Sequence, residues 1–181
     1  MKVAPLEISG CFEFSPDVFT DKRGDFVKTF HAETFVSLGL DTEWPEEYFS
    51  VSSRNVLRGM HFQIPPYEHS KLVCCIRGQA IDVLLDLRVG SPTFGRNTRL
   101  NLSRYSGVYI APGVAHGFLS LEDDTVLLYR VSKAYNPSHD AGILWNSFGF
   151  SWPIDNPLVS ERDSRFPKFG EFKSPFQYEK L

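Results

Sequence analysis

Three observations in the sequence predict an all-β fold, a sandwich or barrel with few helices. Short strand-forming runs recur at spacings of about 8 to 12 residues, with turn residues between them. Only one stretch, His31 to Leu40, carries a clear helical signal. Aromatic residues make up 14% of the chain, which suits strands packed around an interior or a cavity lined by rings.

Each element has its own signal. Gly24 to Phe30 is a short aromatic and β-branched run after a turn at Asp21 to Gly24. His31 to Leu40 places Phe35 and Leu38 three apart, with Gly39 as a stop. Asn55 to Gln63 reads as a strand interrupted at Gly59. Lys71 to Ile76 and Gln79 to Arg88 read as a hairpin across Arg77-Gly78. In the second of these, Ile81, Val83, Leu85 and Leu87 share one face, and Asp82, Leu84, Asp86 and Arg88 the other. Val89 to Pro92 is a turn. Thr98 to Leu102, Val108 to Ile110, Gly117 to Leu121 and Thr125 to Ser132 supply four more strands. Proline-containing turns fill the last third, which is expected to pack as a tail over the barrel.

A chain of 181 residues, 42% hydrophobic and 23% charged, suits one domain spanning residues 1–181 with a sizeable core. The net charge of −3 argues against a nucleic-acid partner, which selects a basic excess. It leaves room for one small phosphorylated ligand held by a few local cations. No apolar run approaches the ~20 residues of a membrane span. The opening MKVAPLEISG has no apolar core of a signal peptide. Cys11, Cys74 and Cys75 are an odd set, and two are adjacent, so they suggest no disulfide framework. Neighbours on a strand point to opposite faces, so Cys74 and Cys75 do not share a metal. The expectation is a cytoplasmic protein with buried thiols.

The densest chemistry lies at Arg58-Gly-Met-His61-Phe-Gln63, followed by Lys71. Arg58 and His61 have odd separation, so aiming both inward requires a bulge at Gly59. His116 follows the turn Ala111 to Ala115. Tyr129 sits in the middle of the apolar strand TVLLYRV, where its hydroxyl needs a partner or a task. Taken one at a time, these residues are more often structural than catalytic.

Together they carry a resemblance. The segments DKRGDF, NVLRGMHFQ, KLV, DVLLDLR, GSPTFG, PGVAHGF, LLYR, ILWN and SERD stand, over roughly residues 17 to 167, in the order found in nucleotide-sugar 3,5-epimerases. The resemblance implies a cupin-like jelly-roll β-barrel with a few short helices, usually a homodimer, using no metal or organic cofactor. It implies inversion at C3 and C5 of a nucleotide-linked 4-keto-6-deoxyhexose. Both carbons are α to the C4 ketone, so removing either proton gives an enolate. One face needs a base, the other an acid, and the enolate oxygen a positive neighbour.

By the same resemblance, His61 matches the base and Tyr129 the acid. Asp163 matches the carboxylate that orients the histidine, with Asp82 as a candidate second support. Lys71 matches the lysine near the C4 oxygen. Arg23 and Arg58 match diphosphate-holding arginines, a role suited to the guanidinium fork. His116 and Gln63 fall among the substrate-binding positions, and Arg162 beside the catalytic carboxylate. Tyr135 matches the ring that stacks on the nucleobase. Phe19 and Phe26 match aromatics lent across the dimer interface.

The sequence departs from the family at recognition positions. Lys28 stands where a nucleoside-contacting glutamate is usual. Glu46 and Tyr48 replace a Gln-x-Asn pair, with Ser50 and Ser52 retained. Asp140 replaces a glutamate after the stacking tyrosine. The nucleobase therefore stays open between dTDP, CDP and GDP, and Lys28 is placed either on a phosphate or against Glu46. Single-centre epimerisation and 3,4-ketoisomerisation use the same enolate. A metal-dependent enzyme of this fold would draw on His69, His116 and Glu68, although Gln63 stands where a second histidine of a His-x-His pair is expected. A binding module without turnover is the remaining alternative.

Overall fold

The computed structural model describes residues 1–178. The chain enters through β1 (Lys2–Pro5) and β2 (Phe12–Ser15), then forms β3 (Val18–Asp21), β4 (Gly24–Val27) and the helix α1 (Ala32–Ser37). The barrel strands follow: β5 (Glu46–Ser52), β6 (Val56–Gln63), β7 (Lys71–Arg77), β8 (Gln79–Asp86), β9 (Asn97–Ser103), β10 (Gly107–Ile110), β11 (Val114–Ser120) and β12 (Thr125–Val131). Two short strands, β13 (Asp140–Gly142) and β14 (Leu158–Val159), precede 3-10 turns at Asp163–Arg165 and Phe169–Glu171.

These strands form two facing sheets, in the orders β1-β2-β10-β7-β12-β5 and β13-β6-β11-β8-β9. β14 adds to β6 in parallel, and β3 pairs only with β4. The fold is a jelly-roll β-barrel. Its interior is filled from both sheets by Val73, Cys75, Leu84, Val108, Phe118 and Leu127. Cys74 points the other way, into a second cluster with Phe14, Phe35 and Tyr109, so adjacent cysteines do face opposite sides. All three cysteines are free and buried.

The strand Gln79–Asp86 shows why sheet partners are hard to read locally. It was expected to have one apolar and one polar face. Instead both faces are buried: Leu84 in the interior, and Ile81, Val83 and Leu85 under Ile143, Phe148, Trp152 and Phe176. The proline-rich last third is the cover over that outer face, as expected. The Arg77-Gly78 junction corrects a second expectation. It is no hairpin, because β7 pairs with β10 and β12, while β8 pairs with β9 and β11. Gly78 has φ +80°, and a Cβ there would stand 2.5 Å from Thr125 Oγ1. The chain turns a corner from one sheet to the other, which keeps both faces of each strand covered.

The strands β1, β2, β3, β5, β13 and β14 lack a clear sequence signal. Most are short, and β3 and β5 are largely exposed, so neither apolar alternation nor a long run marks them. Among the described residues no helix is long and apolar enough to cross a membrane.

Candidate active site

A cavity of about 400 Å³ opens between the two sheets. β6 and β11 supply one wall and β5, β7 and β12 the other. The expected bulge is present. His116 pairs with His61 and Phe118 with Arg58, so two residues of β6, Gly59 and Met60, oppose Gly117 alone. This extra residue turns Arg58 and His61 toward the same cavity despite their odd separation. Gly59 has φ +121°, and a Cβ there would lie 2.5 Å from Gly117 Cα and 2.7 Å from the His116 carbonyl. Only glycine lets the two strands approach so closely.

His61 Nε2 lies 2.9 Å from Asp163 Oδ1. The other carboxylate oxygen accepts the Gly59 N–H at 3.0 Å, so one buried aspartate holds both the imidazole and the bulge. Phe166 packs edge-on to the imidazole, with ring centroids 5.8 Å apart. Burial pushes the His61 pKa below its ordinary value, against the pull of Asp163, so the ring is neutral near pH 7. Burial raises the Asp163 pKa, but hydrogen bonds from His61 and Gly59 outweigh it and hold the carboxyl below the usual range. With Nε2–H donated to the carboxylate, Nδ1 carries the lone pair.

A second histidine–carboxylate pair stands on the same wall. His116 Nε2 and Asp82 Oδ2 are 2.6 Å apart, and both residues are buried. Asp82 therefore orients His116 and does not support His61, because the pleat of β8 aims it across to β11, where it pairs with Phe118. Lys71 opens β7 and donates from Nζ to the His61 carbonyl at 3.1 Å. Its burial pushes the ammonium pKa down to about 8, with Asp140 and Asp82 pulling it back up. Tyr129 projects from the opposite sheet and is 6% exposed. Burial raises its phenol well above the ordinary range, although the Ser50 hydroxyl beside it acts in the other direction.

Four cations, Arg58, Lys71, Lys133 and Arg162, line this cavity in a chain whose net charge is −3. Arg58 donates to Ser52 Oγ at 3.1 Å and to the Val51 carbonyl at 3.2 Å, which fixes its fork at the rim. Arg162 pairs with Asp140 at 2.6 Å, and the half-exposed Tyr135 donates its hydroxyl to the same carboxylate at 3.4 Å. Such a cavity can take a polyanionic ligand at its mouth, and it sets an imidazole, a phenol and an ammonium group at its depth.

Residues 5–171 match the family model described as dTDP-4-dehydrorhamnose 3,5-epimerase. The chain belongs to this family. A dTDP-4-dehydrorhamnose 3,5-epimerase of Shigella flexneri is 38% identical over 174 residues, covering 93% of this chain and 96% of the relative. A dTDP-4-dehydrorhamnose 3-epimerase of Streptomyces niveus is also 38% identical, covering 90% and 81%. The structure of a dTDP-6-deoxy-D-glucose-3,5-epimerase from Legionella pneumophila, in complex with dTDP-4-keto-L-rhamnose, superposes with a TM-score of 0.93 at 27% identity, covering 99% of both chains.

Of the residues singled out in this epimerase sequence, Glu46, Tyr48, Arg58, His61, Gln63, Lys71, His116, Tyr129, Tyr135, Asp140 and Arg162 all line the one cavity, and Asp163 stands behind His61. Gln63 lines the cavity and also braces a loop beside it. Its amide donates to the Tyr67 and Ala134 carbonyls and accepts the Asn136 N–H, bracing the loop that presents Tyr135. Glu46 likewise accepts the Tyr135 N–H at 2.6 Å. Lys28 is exposed and outside the cavity, so the suggested Lys28–Glu46 pair does not form. Arg23, Phe19 and Phe26 sit on the exposed β3–β4 hairpin, away from the cavity of their own chain.

The lining also includes Phe118, Val131 and Lys133, which sequence reasoning missed. Their signal was available: Phe118 follows His116 by two, and Val131 and Lys133 follow Tyr129 by two and four, the period of one strand face. Histidines suggested for a metal are engaged elsewhere, His116 with Asp82 and His69 with Gln63. Among the described residues, no three His, Cys, Asp or Glu side chains are grouped to hold a metal ion.

Proposed function

We propose that this chain inverts C3 and C5 of a dTDP-linked 4-keto-6-deoxyhexose by proton transfer through an enolate. The observation that carries the reading is the placement of His61, held by Asp163, on one sheet and Tyr129 on the facing sheet, with the Lys71 ammonium in the same cavity. A flat enolate held between the sheets presents one face to a base and the other to an acid, which inversion requires.

In this reading His61 Nδ1 takes the proton from C3 or C5. The electron pair moves toward O4, where the Lys71 ammonium and His116 receive the developing charge. Tyr129 gives its phenolic proton to the carbon from the opposite face, completing the C–H bond. Its phenolate regains a proton from solvent, and the His61 imidazolium returns one to solvent. Asp163 keeps the imidazole in one tautomer throughout, the role of the carboxylate in a Ser-His-Asp triad. Arg58 and Arg162 hold the diphosphate, and Tyr135 stacks on the base.

The active unit in this proposal is a homodimer. Phe19 and Phe26 are 61% and 64% exposed on a hairpin whose strands, among the described residues, pair with no other strand. Such a hairpin suits a surface supplied by a second copy, whose cavity Arg23 and Phe26 would close. Three free, buried cysteines suit a reducing compartment, and we place the reaction in the cytoplasm.

Proton NMR in deuterated water with dTDP-4-keto-6-deoxyglucose tests the reading. Loss of both the C3 and C5 proton signals is the expected result. Loss of one alone would make the chain a single-centre epimerase, as the Streptomyces niveus relative is named. Loss of neither, with the CDP- and GDP-linked sugars equally inert, would overturn it.

A further inference from the structure

Tyr48 is one of the positions at which this chain departs from its family pattern, and its surroundings suit it to a task besides lining the cavity. It is the direct cross-strand partner of Tyr129, β5 against β12. Cross-strand partners project from the same face. Here the two rings lie 4.9 Å apart and 13° from parallel, an offset stack. The exposures are unequal: Tyr129 is 6% exposed and Tyr48 43%. Tyr48 is therefore the outer ring and Tyr129 the covered one. On another side the His116 ring meets Tyr129 edge-on, at 6.1 Å and 64°. The plane of Tyr129 is set between these two rings.

A general acid that must protonate a carbanion from one face needs its O–H aimed within a narrow cone. It also needs water kept away, since water can protonate from either face or return the proton to the face it left. The exposed ring over Tyr129 meets both needs. The Tyr48 hydroxyl stays neutral: although the residue is 43% exposed, desolvation of the phenol, with Glu46 and Asp140 nearby, pushes it up to about 12.

We propose that Tyr48 is the positioning residue for Tyr129, its stacked ring fixing the plane of the acid and shielding it from water. The proposal rests on Tyr129 being the acid of the epimerase reading. It assigns the stereochemical fidelity of the second proton transfer to a residue that touches the acid, whichever nucleotide is bound.

Tyr48→Ala and Tyr48→Phe, each made also with Tyr129→Phe, test it by two readouts. In deuterated water the ratio of proton exchange to inversion is followed. Tyr48→Ala is expected to raise that ratio about tenfold, because removal by His61 continues while delivery by Tyr129 fails. Tyr48→Phe keeps the ring and is expected to restore the parent ratio. The second readout is nitration of Tyr129 by tetranitromethane, located by peptide mass spectrometry. Ser50 on β5, Arg58 on β6, Asp82 on β8 and His116 on β11 surround Tyr129 in every variant, so a change reports the loss of its cover. Tyr48→Ala is expected to raise nitration of Tyr129 severalfold, and Tyr48→Phe to leave it at the parent rate. The Tyr129→Phe counterparts give the exchange ratio with delivery absent. A ratio and a nitration rate unchanged in Tyr48→Ala would overturn the proposal. So would equal changes in Ala and Phe, which would assign the effect to the hydroxyl. If the parent exchanges neither carbon, the epimerase reading falls, and nitration alone decides whether Tyr48 covers Tyr129.

Discussion

The strand pair carrying His61 and His116 and the hairpin carrying Phe19 and Phe26 are both antiparallel and both contribute residues singled out for function, yet they are built on opposite terms. β6 and β11 lie in the middle of a sheet and are buried along most of their length. Each functional side chain there is held by a second group: His61 by Asp163, His116 by Asp82. Among the described residues β3 and β4 pair with each other alone, and Arg23 pairs with its neighbour Asp21. The barrel wall has its geometry within one chain. The hairpin is tied to the barrel at Asp25, which accepts the Tyr105 hydroxyl at 3.0 Å and pairs with Arg104 at 3.2 Å, while Phe19, Arg23 and Phe26 stay exposed.

Substitutions can break this contrast, and the largest effect belongs to the wall. His61→Asn removes the proposed base while keeping much of the side-chain volume, and C3 and C5 exchange is expected to fall by about 10² to 10⁴-fold. Deuterium incorporation measures this directly, and exchange at the parent rate would remove His61 from the mechanism. Next is the bulge. Gly59→Ala must place a methyl against the Gly117 backbone at positive φ. It is expected to cost about 3 kcal/mol in urea unfolding, together with loss of activity as His61 swings from the cavity. A loss below about 0.5 kcal/mol would show that the bulge is soft.

The pH profile sharpens the same comparison. Lys71, with its ammonium pKa pushed down to about 8, loses its charge as pH rises, so kcat/KM is expected to fall above that pH. Lys71→Arg retains the charge and should move this limb upward. The acid limb should lie below the ordinary histidine value of 6.5, because burial lowers the His61 pKa and only protonation inactivates it.

The hairpin is expected to show the smallest effect on the folded chain. Phe26→Ala with Arg23→Ala should change the unfolding free energy by no more than about 0.5 kcal/mol, as exposed sites do, while raising KM. Mixing that variant with His61→Asn should restore about a quarter of parental activity if hairpins are exchanged in a symmetric dimer. No recovery after subunit exchange would return the hairpin to its own chain.

Most barrel strands were legible because turns and strand periods are local properties. The helix was found too, although it ends at Ser37, short of the expected Leu40. The bulge at Gly59 was legible from parity alone, since two residues at odd separation cannot share a face of a regular strand. The Arg77-Gly78 junction was misread because a hairpin and a barrel corner use the same residues and differ only in what packs on each side. β5 was missed for a related reason: its largely exposed run EEYFSVS carries little apolar alternation, yet it brings Glu46, Tyr48 and Ser50 to the cavity.

Local chemistry thus determined the all-β class and most of the strands, and the ordered motifs pointed by resemblance to the residues that now line one cavity. The tertiary structure decided which carboxylate serves which histidine. Asp163 reaches His61 across 102 residues of chain, and Asp82 reaches His116 across 34. It also decided that Gln63 braces a loop and that Tyr48 covers Tyr129. Spacing along the chain limits which face a side chain takes. The partner it meets depends on sheet order and register, which long-range burial sets.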